Sequence, residues 1–168
     1  AAHVAGSSTT YRDIDTADHV ALIAFEPEEE SPIVFLRLNK NFKKRGLKVT
    51  SVATKGSIAM DKLKADFIKV APGAEAGAVA GLALTAKSVI LVGERASESA
   101  GLFSAVAALA AKTGAKIAYI PRRAGERGAL EAGLLGNVLP GGRPVADAAA
   151  RVDIAAAWGV SQVPSEPG

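Results

Sequence analysis

Residues 19–53 read HVALIAFEPEEESPIVFLRLNKNFKKRGLKVTSVA, and the folding of this stretch decides how the rest of the chain is arranged. Val20 to Phe25 is a continuous apolar run of strand length, the pattern of a strand covered on both faces. An acidic loop follows, Glu26 to Glu30. Ser31 then stands as a natural N-cap, and Pro32 takes the first helical position, where its missing N–H costs nothing. Phe35, Leu38 and Phe42 fall at i, i+3 and i+7 and form one apolar stripe. Lys43, Lys44 and Arg45 crowd the last turn beside the negative end of the helix dipole, and Gly46 supplies a left-handed stop. Leu47 to Val52 is the next strand. A connection of this length between buried strands is the crossover of a parallel sheet, so the stretch is a β-α-β unit.

The same pattern recurs downstream. Asp66 to Val70 reads as a third short strand stopped by Pro72-Gly73, after a loop and a short amphipathic helix within Thr54 to Lys64. Glu75 to Lys87 is predicted helical, with Gly77 and Gly81 making one face smooth enough to lie tight on the sheet. Ser88 to Gly93 is a fourth strand. A helix starting at Ser97 or Ser99 and ending at Gly114 leads to a fifth strand, Ala115 to Ile120, closed by Pro121. Twenty-seven residues separate Val20 from Leu47, and the same number separates Val89 from Lys116. This echo implies a doubly wound, Rossmann-like α/β fold. About five parallel strands in the order 3-2-1-4-5 carry helices on both faces, with a crevice at the carboxyl ends of the first and fourth strands.

Three regions follow: an irregular, polar lead-in over 1–18, the α/β domain over 19–121, and a Gly/Pro-rich extension over 122–168 with short helices near Arg127–Leu135 and Ala146–Trp158. Trp158 is expected to pack on the domain.

Composition narrows the function. Apolar residues make up 49% of the chain but aromatics only 5%, so elements pack through small side chains. Net charge is +3, yet the basic residues are spread over helix ends and loops with no Lys/Arg stripe and no interleaved aromatics, which argues against nucleic acid. With no cysteine, the chain offers neither disulfides nor thiolate ligands for zinc or iron–sulfur clusters. Its longest uncharged apolar run, Ala100 to Ala111, is too short to span a bilayer, and no signal peptide is visible. A start without Met and an end in PSEPG are expected of a piece of something longer.

The crevice turns decide what chemistry is available. A dinucleotide site needs a glycine-rich turn that brings backbone N–H groups to the pyrophosphate at a helix N-terminus. Here the first turn is Glu26-Pro27-Glu28-Glu29-Glu30, three successive carboxylates where a pyrophosphate would sit. The second, Gly93-Glu94-Arg95-Ala96-Ser97-Glu98, has two carboxylates and no GxGxxG. Nicotinamide dinucleotide binding is therefore disfavoured. The acidic run has the oxygen density of a Mg²⁺ or Ca²⁺ site, but a complement to the helix dipole on a solvated loop is the preferred reading, and no metal site is expected. His3 and His19 have no metal partner at helical or hairpin spacing. No nucleophile elbow or P-loop is present, so no catalytic residue is assigned. Arg122, Arg123, Arg127 and Arg143 form a candidate basic patch, read as a protein-contact surface rather than an anion pocket.

Three runs, FEPEEESPIVFLRLNKNFKKRGLKVTSVA, ADFIKVAPGAEAGAVAGLA and RRAGERGALEAGLLGNVLPGG, resemble the molybdopterin oxidoreductase family. Within it the resemblance is to the branch formed by the large iron–sulfur subunit of actinobacterial NADH-quinone oxidoreductases (respiratory complex I), and it covers about Tyr11 to Trp158. In cofactor-binding members the first strand ends in a Gly/Asn-Pro turn, the second in Asp or Pro-Arg, and the third in Pro-Gly-Thr-Asp. The vestigial pterin-site positions here are Glu26, Pro27, Pro72, Gly73, Glu75, Gly125 and Gly128. The backbone-shaping residues are kept, while Thr54, Ala74 and Gly125 stand where guanine-reading groups are needed. The resemblance thus implies a structural domain without a pterin, its iron–sulfur clusters held by a cysteine-rich N-terminal part of a parent chain. It implies as partners the other subunits of the complex I peripheral arm on the cytoplasmic side of the cell membrane, with no direct membrane insertion. The alternatives are a fragment of a molybdopterin guanine dinucleotide enzyme and a free-standing anion-binding α/β module.

Overall fold

A computed structural model describes residues 9–123, 125–131 and 138–165; His3, the Arg127 side chain and Leu135 lie outside them. The chain divides into two compact units, meeting in sequence between Arg122 and Arg123. The first is a five-stranded, all-parallel sheet in the order β3-β2-β1-β4-β5, with β1 His19–Ile23, β2 Lys48–Ala53, β3 Asp66–Lys69, β4 Val89–Gly93 and β5 Lys116–Ile120. Fold class, strand order and all five strands agree with the sequence reading to within one or two residues.

Why β1 and β4 read as unbroken apolar runs is visible in the two cores. Val20 and Leu22 of β1 and Val89 and Leu91 of β4 face one side, under Val34, Phe35 and Leu38. Ala21, Ile23, Ile90 and Val92 face the other, under Val79, Val106 and Leu109. Helices therefore cover both faces, and every residue of β1 is buried.

The local signals act as expected around the first crossover. The helix Pro32–Arg45 (α3, after α1 and α2 given below) has Pro at its first turn and stops at Gly46, whose φ of 66° is left-handed and whose N–H bonds back to the Asn41 and Phe42 carbonyls. Ser31 takes the N-cap position, but its hydroxyl makes no cap bond; its N–H instead closes the preceding turn on the Pro27 carbonyl at 3.1 Å. That turn is a difference from the sequence reading. Pro27–Glu30 is a short helix, α2, not a loop.

Four further differences have physical causes. The lead-in is not irregular throughout: Tyr11–Thr16 is a helix, α1, started by a capping box in which Thr10 and Asp13 exchange side-chain and backbone bonds. Glu75–Ala80 (α5, after α4 at Ile58–Lys62) ends at Gly81 rather than Lys87. Beyond it, Leu82 and Leu84 pack into the second core, and Asp18 pulls Thr85 and Ser88 into a turn at 2.9 and 3.1 Å. Gly77 does not lie tight against anything, since a Cβ there would meet no atom within 4 Å. The second crossover begins as a 3₁₀ turn, Glu94–Glu98, and its helix α6 runs Leu102–Thr113 after Gly101 at φ 74°.

The second unit holds helix α7 (Glu126–Glu131), the antiparallel pair β6 (Val138–Leu139) and β7 (Arg143–Pro144), and helix α8 (Ala148–Trp158); Leu139 of β6 and Ala150 and Ile154 of α8 form a small core, with Val145 and Val163 packed against it. Asp147 caps α8 through two backbone N–H groups. Trp158, at the end of α8, is 57% exposed.

Candidate functional site

β1 and β4 run side by side and their chains diverge after Ile23 and Gly93, which places the crevice of a doubly wound sheet at this edge. The backbones approach so closely here that a Cβ on Gly93 would stand 2.4 Å from the Ala24 carbonyl oxygen and 2.9 Å from the Phe25 Cα. Ala24 itself is held at φ 47°, an uncommon conformation for a residue with a Cβ, by its N–H bond to the Val52 carbonyl at 3.0 Å.

The acidic turn is an interlocked structure. Glu26 caps α2, its Oε2 accepting from the Glu29 N–H at 2.7 Å while its Oε1 accepts from the Ser57 hydroxyl at 2.6 Å. Pro27 is buried at the first helical position. Glu28 pairs with Lys62 of α4 at 2.5 Å. Glu30 has a side chain only 7% exposed. Its Oε1 accepts from Arg95 Nη2 at 2.7 Å and from the Glu26 N–H at 3.1 Å, and its Oε2 lies 3.5 Å from Arg122 Nε, a charge contact without a hydrogen bond. Glu30 follows β1, Arg95 follows β4 and Arg122 follows β5. One buried carboxylate thus draws together the exits of three strands.

Sequence reasoning placed the carboxylates but missed Arg95, Arg122, Ser57 and Ser99 as their partners. The signal for Arg95 lay in the 27-residue echo, which sets the turn Glu94–Glu98 opposite the turn Glu26–Glu30. The expectation that the acidic run is a solvated loop fails at Glu30 and Glu26, whose oxygens are committed within the fold.

Beside this clamp is a cleft of about 280 Å³ lined by Ala24, Thr54, Pro72, Gly73, Glu75 and Arg95. Glu75 is buried at the start of α5 and accepts from the Ser99 hydroxyl at 2.7 Å. Burial pushes its pKa up, but the Ser99 hydroxyl and the N–H groups of Glu75 and Gly73 outweigh it and hold the carboxyl below its ordinary range. Gly73 turns the chain at φ 86°. The structure therefore brings Pro72, Gly73 and Glu75 together and places Glu26 and Pro27 at the neighbouring strand exit. Gly125 and Gly128 belong to the second unit, before and inside α7. Of the four arginines read as a patch, Arg122 faces Glu30, Arg123 pairs with Glu126, and Arg143 pairs with Asp153 at 3.1 Å. Each has its own carboxylate.

No family model matches the chain. Over 100% of its length, however, it is 46% identical to a stretch of the NADH-quinone oxidoreductase G subunit of Mycobacterium bovis, and equally so to that of Mycobacterium tuberculosis. The chain is homologous to a segment of this G subunit. It is also 46% identical, over 97% of its length, to the G subunit of Streptomyces coelicolor. The chain spans about 22% of the mycobacterial G subunits and 21% of the Streptomyces one. Among the described residues of this G-subunit homologue, no helix is long and apolar enough to cross a membrane.

At the exit of β1, Glu30 of this G-subunit homologue lies against the Arg95 and Arg122 guanidinium groups, and Glu26 already caps the turn. The adjoining cleft is smaller than the roughly 300–1,000 Å³ that pockets for drug-sized ligands occupy.

Proposed function

We propose that the chain is a structural domain of the G subunit in a proton-pumping NADH-quinone oxidoreductase, and that it binds no pterin. It sits in the peripheral arm on the cytoplasmic side of the membrane, held by other subunits, while the iron–sulfur clusters belong to a cysteine-rich part of the parent chain. The identity with the G subunits supports the assignment to the complex. The observation that carries the structural role is the Glu30 clamp. Rossmann-like crevices bind ligands with free N–H groups and open space between diverging strands. In this one a buried carboxylate bridges the strand exits from within, so the crevice works as a joint.

Isothermal calorimetry of the purified chain with NADH, GDP or molybdopterin guanine dinucleotide tests this directly. No heat of binding is expected at sub-millimolar ligand. Replacing Glu28, Glu29 and Glu30 with Gly, Ser and Gly frees Arg95 and Arg122 and creates at most weak affinity for inorganic phosphate, because Thr54, Ala74 and Gly125 still lack guanine-reading groups. Tight dinucleotide binding by the unaltered chain overturns the reading.

A further inference from the structure

Among the described residues, no core cluster takes in the stripe along the outward side of α3. Helical phase places Ile33, Leu36, Lys40, Lys43 and Lys44 within it, opposite Phe35, Leu38 and Phe42, which face the sheet. Ile33 is 54% and Leu36 59% exposed, and they are neighbours at i, i+3. Lys40, Lys43 and Lys44 continue the stripe toward the helix end, all exposed. Among the described residues none of the three has a carboxylate partner, although Arg37 and Arg45 of the same helix are engaged with the lead-in. Three lysines exceed what the helix dipole needs, and among the described residues the two adjacent half-exposed aliphatic side chains belong to no core cluster. From Ile33 to Lys44 the stripe is about 16 Å long at 1.5 Å per residue.

We propose that this stripe is a docking surface for an acidic segment of another protein. The segment covers Ile33 and Leu36 with apolar side chains and sets carboxylates against Lys40, Lys43 and Lys44. Charge complementarity specifies the partner: an uncharged groove leaves three lysine ammonium groups to be desolvated unpaired, whereas carboxylates satisfy them. The proposal rests on the subunit reading, which supplies the other polypeptide.

Carbodiimide treatment of the assembled complex joins a lysine amine to a carboxylate in direct contact, with loss of water. Peptide mass spectrometry is expected to find Lys40, Lys43 or Lys44 linked to Asp or Glu in an acidic run of a second polypeptide, flanked by apolar residues. Links confined to this chain, or equal amine labelling of the three lysines in the free chain and in the complex, overturn the proposal. As a second arm, the triple variant Leu36→Ser, Lys40→Glu, Lys43→Glu is expected to be recovered in the complex at least ten-fold less than the unaltered chain. Its thermal midpoint as an isolated chain should stay within a few degrees of the parent. Retention of the unaltered chain by vesicles of anionic phosphatidylglycerol, with the lysines unlinked in the complex, assigns the stripe to a lipid surface and sinks the protein partner. If the variant enters the complex normally, the docking surface is wrong and the subunit reading stands. If the unaltered chain itself fails to enter, the subunit reading fails with it.

Discussion

Gly93→Ala isolates the close approach of β1 and β4. Gly93 has ordinary extended dihedrals, φ −83° and ψ 166°, so nothing in its own backbone demands glycine. Its neighbours do. The added methyl group would lie 2.4 Å from the Ala24 oxygen, 2.9 Å from the Phe25 Cα and 3.1 Å from the Phe25 Cβ. Comfortable separations are roughly 3.5–4.0 Å, so the strand ends must part by about 1 Å. Ala24 has little room to retreat, because its N–H is bonded to Val52 and Phe25 is fully buried beside it. Overpacking of this kind costs about 1–3 kcal/mol, and a backbone rather than a flexible side chain as obstacle puts the cost at the upper end. Gly77→Ala is the control: it lies in α5 with open space around it and should stabilise by about 0.5–1 kcal/mol through helix propensity. Urea denaturation followed by circular dichroism, with the slope held common, reads both. Opposite signs are expected. A neutral or stabilising Gly93→Ala would show that the strand exits are looser than described and that the joint does not exist.

Leu38, fully buried against β1 and β2, should lose about 2–5 kcal/mol on replacement by Ala, whereas Lys40→Ala on the outer face should change stability by no more than roughly 0.5 kcal/mol; equal effects would refute the helix phase. Glu30→Gln should destabilise by about 1 kcal/mol, since the charge assistance of the bond to Arg95 is lost and that guanidinium is 43% exposed, and a second replacement, Arg95→Gln, should then cost less than it does alone in a double-mutant cycle. His19 is buried with Nε2 at 2.8 Å from the Thr50 hydroxyl. Burial first and Lys48 next lower its pKa, against the pull of Asp18, the Ala83 carbonyl and Asp66. The folded pKa lies below the unfolded value near 6.5, so the folded state favours neutral histidine. Its stabilisation is therefore complete above about pH 6.5 and is lost as pH falls below it. Urea midpoints at about pH 7.5 and 5.5, on either side of that unfolded pKa, should differ more for the parent than for His19→Asn; an unchanged difference would refute it.

The sheet was legible because its signals are redundant. The apolar runs of β1 and β4, the 27-residue spacing repeated around them, Pro32 at a helix start, and Gly46 and Gly114 at helix ends each point to the same wound topology. Helix lengths were less legible where tertiary bonds compete with propensity: Asp18 captures Thr85 and Ser88 and ends α5 early, while Ser99 is drawn to Glu75 and delays α6. The candidate site was half legible. Local sequence exposes the row of glutamates, but Arg95 lies 65 positions from Glu30, and a charge partner at that distance becomes visible only once the strand order is known. Trp158 stays half exposed because α8 gives Ala150 and Ile154 to a core that Leu139 completes, with Val145 and Val163 packed against it.

An open parallel sheet has two margins where unpaired amides invite another chain to add a strand. This sheet protects them by different means. β3 is four residues long and carries Asp66 and Lys69 toward solvent, so an incoming strand meets charge and little length. β5 is longer and more apolar, and the lead-in guards it: the Thr9 hydroxyl donates to the Ile117 carbonyl at 2.7 Å, and Asp13 holds Lys116. The same segment is fastened at its other end by Arg45, which grips the Asp15 and Ala17 carbonyls at 2.7 Å. Residues 9–18 contribute no strand, yet they occupy part of the β5 margin through Ile117 and Lys116. A chain starting at β1 is expected to retain all five strands but to self-associate through the opened β5 margin, which sedimentation velocity would detect.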